Sequence, residues 1–557
     1  MNKPLSEYPR PQLKRDSYLC LNGEWEYAIR KDENIPDVFD GKIIVPYSPE
    51  TTASGVNKMV HPDEWLFYKL VFLLDDSFIK DKVILHFMAV DQIAEVYLNG
   101  TYLGKHIGGY LPFEFEIKKH LQKENILIVK VKDETDKNSL SRGKQRIKRG
   151  GIWYTPQSGI YLPVWIESVS NDYIKSIKLT PDIDNSQIQI LVKTTVEKAY
   201  LRIENKTIEI ETNKSVNIPI DNQRLWSPEN PHLYHIELST LNDKVESYFA
   251  MRKVSTGEYN GHKVLYLNNK PYFMKGVLDQ GYWKEGLYTP ETYEDYVADI
   301  ELVKAMGFNT IRKHIKVEAP RFYYECDKRG MLVWQDFVNG GGKYKLSTII
   351  FPLLTGRHHK DTNYRKFARK DNEGRKFAIQ EFKDEMNYLY NSPSIVLWTI
   401  FNEGWGQFDS KQIYEDLSKL DNTRLYDHAS GWHDQKVSDV KSLHVYFKRV
   451  KMPKEKATGN RAIILSEFGG YLLPVGNHMQ KGKRTYRSFS SYETWLNEYK
   501  KSIELDVIKN IPHGLAAIIY TQLSDVEDEL NGFVTFDREV IKVKINDIKK
   551  INDLIKY

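Results

Sequence analysis

Two glutamates of this chain lie just after short segments that are almost entirely apolar. Residues 395–401 end one residue before Glu403, and residues 462–465 end one residue before Glu467. Burying a carboxylate against such a segment without a partner is unfavourable, so both side chains are expected to face an open site. Two carboxyl groups ~5–5.5 Å apart can cleave a glycosidic bond with retention, one as nucleophile and one as general acid/base.

The C-terminal half of the chain has the alternation of segments needed to bring these glutamates together. Its apolar, strand-like segments cover residues 272–277, 309–313, 332–335, 395–401, 425–428, 442–446, 462–466 and 515–521. Amphipathic segments of helical length lie between them, at 291–306, 320–328, 376–391, 411–420, 492–509 and 543–555. Thr289 and Pro290 are expected to cap the first helix. The alternation predicts a (β/α)8 TIM barrel over residues 257–557.

The active site of such a barrel lies at the carboxyl ends of its strands, so polar residues there are candidates for substrate binding. At the predicted strand ends these residues are Asp279, Arg312, His314, Asp336, Asn402, His428, His444, Tyr446 and Gln522. Trp405 and Trp432 follow the fourth and fifth strands, where an indole ring can stack on a sugar or pack within a loop. Asp336 could bind substrate hydroxyl groups or, as a structural alternative, pair with Arg312. His428 and His444 could contact substrate or, alternatively, form hydrogen bonds inside the barrel.

The rest of the chain has the pattern of β-sandwiches. Residues 1–170 contain short alternating segments rich in β-branched and aromatic residues, with a hairpin turn expected at Asn99-Gly100. They predict a jelly-roll-like β-sandwich. Residues 171–256 contain a second, shorter series of strand-like segments, which predicts an immunoglobulin-like β-sandwich.

Composition and charge exclude several other classes of protein. The net charge is +5, from 80 basic and 75 acidic residues, which predicts no nucleic-acid partner. Basic residues cluster only around 142–149 and 448–456, and the two cysteines have no metal-ligand spacing. The N-terminal residues contain no apolar segment of the ~7–15 residues that a signal sequence needs, and no segment approaches the ~18–20 of a membrane span. The expectation is a cytoplasmic protein with no membrane partner, whose assembly as a homo-oligomer is left open.

Several motifs resemble those of glycoside hydrolase family 2, which includes β-galactosidases, β-glucuronidases and β-mannosidases. They are the segments 395–408 (IVLWTIFNEGWGQF), 465–470 (LSEFGG), 307–314 (GFNTIRKH), 326–336 (CDKRGMLVWQD), 91–100 (DQIAEVYLNG), 150–154 (GGIWY) and 158–167 (SGIYLPVWIE). The resemblance spans nearly the whole chain. It implies a sugar-binding-like N-terminal sandwich and a catalytic barrel.

By this resemblance Glu403 is the acid/base, Glu467 the nucleophile and Asn402 the residue that holds the sugar 2-hydroxyl. Arg312 and His314 fall on the strand-two site, and Tyr446 on the strand-six tyrosine beside the nucleophile. The expected function is a retaining exo-β-glycoside hydrolase, β-galactosidase-like, acting on oligosaccharides or small glycosides. Its partner would be a carbohydrate, and no cofactor or metal is required, although a structural or substrate-contacting cation is left open.

The sugar is less well determined. Residues 532–538 lack the Asn-x-Lys with which β-glucuronidases of the family grip a sugar carboxylate, and Gln522 stands near a position where tryptophan is common. β-Mannosidase, β-glucuronidase or arabinosidase specificity therefore remain as alternatives. Two other classes are a non-catalytic carbohydrate-binding protein of the same fold and a metal-dependent barrel hydrolase. The latter would use His314, Asp336, His428 and His444.

Overall fold

The computed structural model describes residues 3–454, 458–479 and 487–557, so part of the basic segment 448–456 lies outside the described residues. The described residues form the three units that the sequence predicts: a jelly-roll-like sandwich, an immunoglobulin-like sandwich and a TIM barrel. None of their helices has the length and apolar character needed to cross a bilayer.

The first sandwich packs a four-stranded sheet, in the order β1-β12-β5-β9, against a six-stranded sheet, in the order β3-β2-β4-β10-β7-β8. Its strands are β1 Tyr18–Cys20, β2 Gly23–Arg30, β3 Gly41–Val45, β4 Trp65–Leu73, β5 Lys82–Phe87, β6 Val90–Asp91, β7 Ile93–Leu98, β8 Thr101–Ile107, β9 Phe113–Glu116, β10 Glu124–Lys132, β11 Gly159–Ile160 and β12 Val164–Val169. The predicted hairpin joins β7 to β8, and Asn99 and Gly100 both have positive φ, +51° and +78°. Such angles match the twist of a tight hairpin.

The second sandwich has sheets in the orders β13-β14-β17 and β16-β15-β18-β19. Its strands are β13 Ser176–Asp182, β14 Gln187–Lys193, β15 Lys198–Ile203, β16 Lys206–Glu211, β17 Ser215–Pro219, β18 Tyr234–Ser239 and β19 Lys244–Phe249. Alternate residues such as Ile188, Leu201 and Ile236 form its core. Trp226 connects this unit to the barrel, because its Nε1 donates to Asp327 O at 2.8 Å.

The barrel is an eight-stranded parallel sheet in the order β27-β26-β25-β24-β23-β30-β29-β28. Its strands are β23 Met274–Asp279, β24 Thr310–Lys313, β25 Leu332–Asp336, β26 Ile395–Thr399, β27 Leu425–Asp427, β28 Val440–Val445, β29 Ala462–Gly469 and β30 Leu515–Thr521. A small sheet, β20 Val254–Tyr259, β21 His262–Leu267 and β22 Lys270–Pro271, packs under the barrel. Glu403 and Glu467 thus belong to the fourth and seventh strands, as predicted.

Helices of the described residues surround the barrel or lie in its loops. They are α1 Tyr293–Ala305, α2 Pro320–Arg329, α3 Leu346–Ile349, α4 Phe351–Thr355, α5 Asn372–Leu389, α6 Ser410–Leu420, α7 Tyr492–Ser502 and α8 Ile545–Asn552. The predicted cap of α1 at Thr289 is wrong. Thr292 caps α1, and its N–H donates to Asp295 at 2.8 Å. The α-helix predicted over residues 492–509 ends at Ser502. A π-helical turn, Ile503–Val507, and a 3-10 helix that contains Pro512 follow it.

Candidate active site

The two candidate glutamates converge at the carboxyl ends of the barrel strands. Glu403 follows β26 and Glu467 lies within β29, and their side chains are 11% and 6% exposed. One oxygen of each carboxylate and a ring nitrogen of His444 lie within 4.8 Å of one another. The two carboxyl groups are therefore close enough for the ~5–5.5 Å separation that retaining glycosidases use.

The backbone turns each glutamate toward this point. Glu403 has a φ of +50°, a conformation that costs a non-glycine residue about 1–2 kcal/mol. Its N–H donates to Ser430 O at 2.9 Å and its carbonyl accepts from Trp432 Nε1 at 2.8 Å, which offsets that cost. The register between β29 and β30 shifts between Leu465 and Phe468, an irregularity that re-aims the side chain of Glu467.

Arg312 connects the groups around Glu467. Its guanidinium donates to both oxygens of Asp336, at 3.0 and 2.9 Å, and to Glu467 Oε1 at 3.0 Å. It also donates to Asn402 Oδ1 at 2.8 Å. Asn402 Nδ2 is buried with no partner among the described residues, so this amide has a donor available for a bound ligand.

Glu467 is held in its ionised form. Burial alone would raise its pKa, but the charges of His444 and Arg312, with a hydrogen bond from the hydroxyl of Tyr446, lower the pKa to about 2. A carboxylate ionised throughout the neutral range is the form that attacks an anomeric carbon.

The pKa of Glu403 is displaced in the opposite direction. Burial raises the pKa of this carboxyl above its usual 4.5, and the nearby charge of Glu467 raises it further. His444 Nδ1, 2.9 Å from Glu403 Oε1, opposes this rise. The two carboxyl groups therefore have pKa values displaced in opposite directions, as an acid and a nucleophile in one site require.

His314 and Asp336 form a second layer beside the nucleophile. His314 Nδ1 lies 2.7 Å from Asp336 Oδ2, and burial lowers the pKa of this histidine to about 4. Burial raises the pKa of Asp336, but the charge of Arg312 outweighs burial and keeps the carboxyl below its usual range. A neutral His314 beside an ionised Asp336 leaves its other ring nitrogen to bond a substrate hydroxyl.

Aromatic rings form the walls around these groups. The ring of Trp405 lies 4.8 Å from that of Trp153, 6.4 Å from that of Tyr344 and 6.3 Å from that of His314. Trp432 lies 5.7 Å from His444. Both predicted tryptophans thus border the site.

Three residues predicted at strand ends lie in other networks. Asp279 pairs with Lys313 at 2.5 Å. Gln522 donates to Asn531 at 2.7 Å and accepts from Gln280 at 2.8 Å. His428 Nε2 lies 3.2 Å from Asp434 Oδ1. These contacts do not involve Glu403 or Glu467: Lys313 on strand β24 binds Asp279, and residues of neighbouring loops bind Gln522 and His428.

Two groups of side chains in the described residues could hold a metal ion. One is Glu403, His444 and Glu467, and the other is a surface group of His478, Asp537 and Glu539. The ligand set considered from the sequence is therefore not gathered in the described residues, since it combines His314 and Asp336 with His428 and His444.

Sequence reasoning missed several residues of the site, above all Lys144 and Trp153 from the first sandwich. Lys144 Nζ lies 5.7 Å from the ring centre of Trp405, and its charge, after burial, helps to lower the pKa of His314. The basic cluster 142–149 was visible in the sequence, but nothing in its pattern shows that it reaches the barrel.

Comparison with known sequences gives a match to each of the three units. The profile "Glycosyl hydrolases family 2, TIM barrel domain" matches residues 260–556, more than half of the chain. The sugar binding domain of the same family matches residues 44–164, and a third profile, "Glycosyl hydrolases family 2", matches residues 168–252. The chain belongs to glycoside hydrolase family 2.

Individual members of family 2 are distant relatives. The chain is 24% identical to a "Beta-galactosidase" of Thermoanaerobacter pseudethanolicus over 83% of its own length and 62% of the relative's. It is 24% identical to a "Putative beta-glucuronidase" of Formosa agariphila over 57% of its length and 37% of the relative's. The chain thus spans less than two thirds of either protein.

Solved structures of family 2 have the same fold. A β-D-glucuronidase of Dictyoglomus thermophilum superposes with a TM-score of 0.77 at 19% identity, covering 98% of both chains. A β-galacturonidase of Eisenbergiella tayi bound to galacturonate gives 0.72 at 18% identity, covering 99% of this chain and 100% of that one.

Proposed function

We propose that this chain is a retaining, exo-acting β-glycoside hydrolase with Glu467 as nucleophile and Glu403 as general acid/base. The observation that carries the proposal is the pair of carboxyl groups within 4.8 Å whose pKa values are displaced in opposite directions. This is the arrangement that a double displacement needs.

In the first step Glu467 attacks the anomeric carbon while the bond from that carbon to the aglycone oxygen breaks. Glu403 gives its proton to the departing oxygen, and a glycosyl ester on Glu467 forms. Esterification removes the negative charge of Glu467, so the pKa of Glu403 falls and its carboxylate can act as a base. In the second step Glu403 takes a proton from water, whose oxygen displaces Glu467 from the anomeric carbon.

Enclosure of the catalytic pair supports action on chain ends. Both carboxyl side chains are less than an eighth exposed, and the wall at Trp405 includes Trp153 from another domain. An open cleft would leave both sides of the pair accessible. A cavity of about 290 Å³ beside Trp432 and His444, lined also by Leu353, His358 and Lys448, offers space for the leaving group.

A β-galactoside-like sugar is the proposed substrate, as an oligosaccharide end or a small glycoside. Asn402 Nδ2, oriented by Arg312, would donate to the 2-hydroxyl. Of the two relatives described above, the one named β-galactosidase matches the larger share of this chain, 83% against 57%. β-Mannosidase, β-glucuronidase and arabinosidase specificities are the alternatives that a substrate panel separates.

Covalent trapping tests the proposal. A 2-fluoro-β-glycosyl fluoride should esterify Glu467, because the 2-fluorine slows both steps while the fluoride leaving group keeps the first fast enough for the ester to accumulate. Mass spectrometry of peptides should locate the added mass on Glu467 in the wild type and find none in Glu467→Gln. Labelling of Glu403, or wild-type turnover by Glu467→Gln on aryl glycosides, would overturn the assignment. No labelling and no turnover on any glycoside would favour a non-catalytic sugar-binding protein.

A further inference from the structure

A loop of the first sandwich, residues 139–155, lies across the mouth of the barrel. The N–H groups of Arg142 and Gly143 donate to Asn339 O at 3.0 and 3.1 Å, and the Arg142 guanidinium donates to two carbonyls of the same barrel loop. Gly143 has a φ of +59°, and a Cβ there would lie 2.8 Å from Ile315 O. Only glycine permits so close an approach.

The last part of the loop is bonded to an acidic turn, residues 527–529, that follows β30. Arg149 donates to the first carboxylate of this turn at 3.1 Å, the N–H of Gly151 donates to the second at 3.1 Å, and the Tyr154 hydroxyl donates to the third. The basic cluster of the sequence therefore neutralises an acidic turn of the barrel.

Lys144 lies in the middle of the loop and contributes to the wall of the catalytic pocket. Its side chain is 7% exposed, and its Nζ lies 3.6 Å from Oε2 of Glu529, which is 2% exposed. The same Nζ is 5.7 Å from the ring centre of Trp405. Trp405 follows Glu403 by two residues, and its ring lies 6.3 Å from His314.

Groups near this pair have hydrogen-bonding capacity that the described residues do not use. The Tyr154 hydroxyl and Lys144 Nζ both approach the same oxygen of Glu529, Oε2. Trp405 Nε1 and Asn531 Nδ2 are buried donors with no partner in the described part of the chain. Buried donors without partners are uncommon in proteins, so they point to a ligand rich in hydroxyl groups.

We propose that Lys144 and Glu529, one from each domain, bind hydroxyl groups of an uncharged sugar and select it over the corresponding uronic acid. The inference rests on the proposed glycosidase function and specifies its substrate class. A lysine ammonium has only donors and a carboxylate only acceptors, so the pair matches a hydroxyl in both roles. A sugar carboxylate would meet Glu529, and like charges brought together in a buried site are strongly unfavourable. Lys144 offsets this repulsion only in part, because its ammonium already interacts with Glu529 at 3.6 Å.

The test compares p-nitrophenyl β-galactoside with p-nitrophenyl β-galacturonide, which differ only at carbon six, and the matched glucoside and glucuronide. For the wild type we expect kcat/KM to be about 100-fold or more lower for each uronide, because of the like-charge contact with Glu529. In Glu529→Gln the unpaired Lys144 should attract the uronide. The ratio of kcat/KM for the neutral glycoside to kcat/KM for the uronide should therefore fall at least about tenfold. In Lys144→Met the neutral substrate should lose kcat/KM while the uronide stays a poor substrate.

Lys148→Met is the matched control, because Lys148 is exposed on the same loop and should leave the ratio unchanged. Thermal melting of each variant tests folding, and Lys144→Met combined with Glu529→Gln restores charge balance if a single variant does not fold. A wild type that prefers uronides, or a ratio that Glu529→Gln does not move, would overturn this inference while leaving the glycosidase proposal intact. Absence of both hydrolysis and covalent labelling of Glu467 would overturn the two together.

Discussion

Replacing His444 with leucine is expected to move both limbs of the pH–activity profile to higher pH. His444 Nδ1 lies 2.9 Å from Glu403 Oε1, and Nε2 lies 3.6 Å from Glu467 Oε1. The histidine side chain is fully buried, so solvent does not screen these contacts. Both contacts favour the ionised form of a carboxyl group and therefore lower its pKa.

The sign follows from the roles of the two carboxyl groups. Activity requires Glu467 to be ionised and Glu403 to be protonated, so kcat/KM falls on the acid side as Glu467 gains a proton and on the alkaline side as Glu403 loses one. Without His444 the pKa of each group rises. The acid limb thus moves up from a wild-type position near the pKa of Glu467, about 2, and the alkaline limb moves up with Glu403.

The magnitude follows from the hydrogen bond to Glu403. A hydrogen bond to a charged group contributes about 1.5–3 kcal/mol, and 1.36 kcal/mol is a tenfold change in a protonation ratio. Loss of the bond should therefore raise the ratio of protonated to ionised Glu403 by roughly 10- to 100-fold at a given pH.

The assay is kcat/KM for an aryl β-glycoside measured across pH in wild type, His444→Leu and His444→Gln. Glutamine keeps a donor but not the charge, so its limbs should fall between those of the other two. His428→Leu is the control, because His428 is equally buried but pairs with Asp434. Limbs that stay in place in His444→Leu, or an alkaline limb that moves down, would refute the argument.

Other expectations concern the acid, the buried ion pair and metal ions. Glu403→Ala should lose about 10²–10⁴-fold in rate on poor leaving groups and be rescued by azide as a β-glycosyl azide; an α-azide product would mean that the two roles are reversed. Arg312→Met should lose about 3–5 kcal/mol of unfolding free energy in urea titrations, because it leaves the buried carboxylate of Asp336 without its guanidinium partner. The pKa of Asp336 is lowered in the fold, so the difference in unfolding free energy between wild type and Arg312→Met should be largest at neutral pH and shrink as the pH falls through that pKa. A difference that does not change with pH would contradict the pairing. Zn²⁺ should inhibit by binding Glu403, His444 and Glu467, with recovery in EDTA, whereas loss of activity in EDTA alone would indicate metal dependence.

Local patterns in the sequence were sufficient to predict the architecture and to place Glu403 and Glu467 at one end of the barrel. Apolar segments alternating with amphipathic ones require a parallel sheet covered by helices, and the carboxyl ends of those strands meet at one mouth. The placement of Glu403 and Glu467 follows from that order alone. The N-terminus of α1 was predicted at Thr289 instead of Thr292, although only Thr292 has an acidic residue, Asp295, three positions later to complete a capping box. The hydroxyl of Thr289 instead donates to Tyr161 O at 2.5 Å.

Only the tertiary structure decided which strand-end residues surround the sugar site. Asp279 and Gln522 have the same position relative to their strands as Asp336 and Asn402, but Lys313 and Asn531 bind them elsewhere. Lys144 and Glu529 are far apart in the sequence, and their pairing depends on how two domains pack. Periodicity reports which face of a strand or helix is buried, because that depends on near neighbours. Periodicity carries no information about which distant charge will compensate a buried one. In this protein such a distant pair, Lys144 and Glu529, lies beside the ring of Trp405.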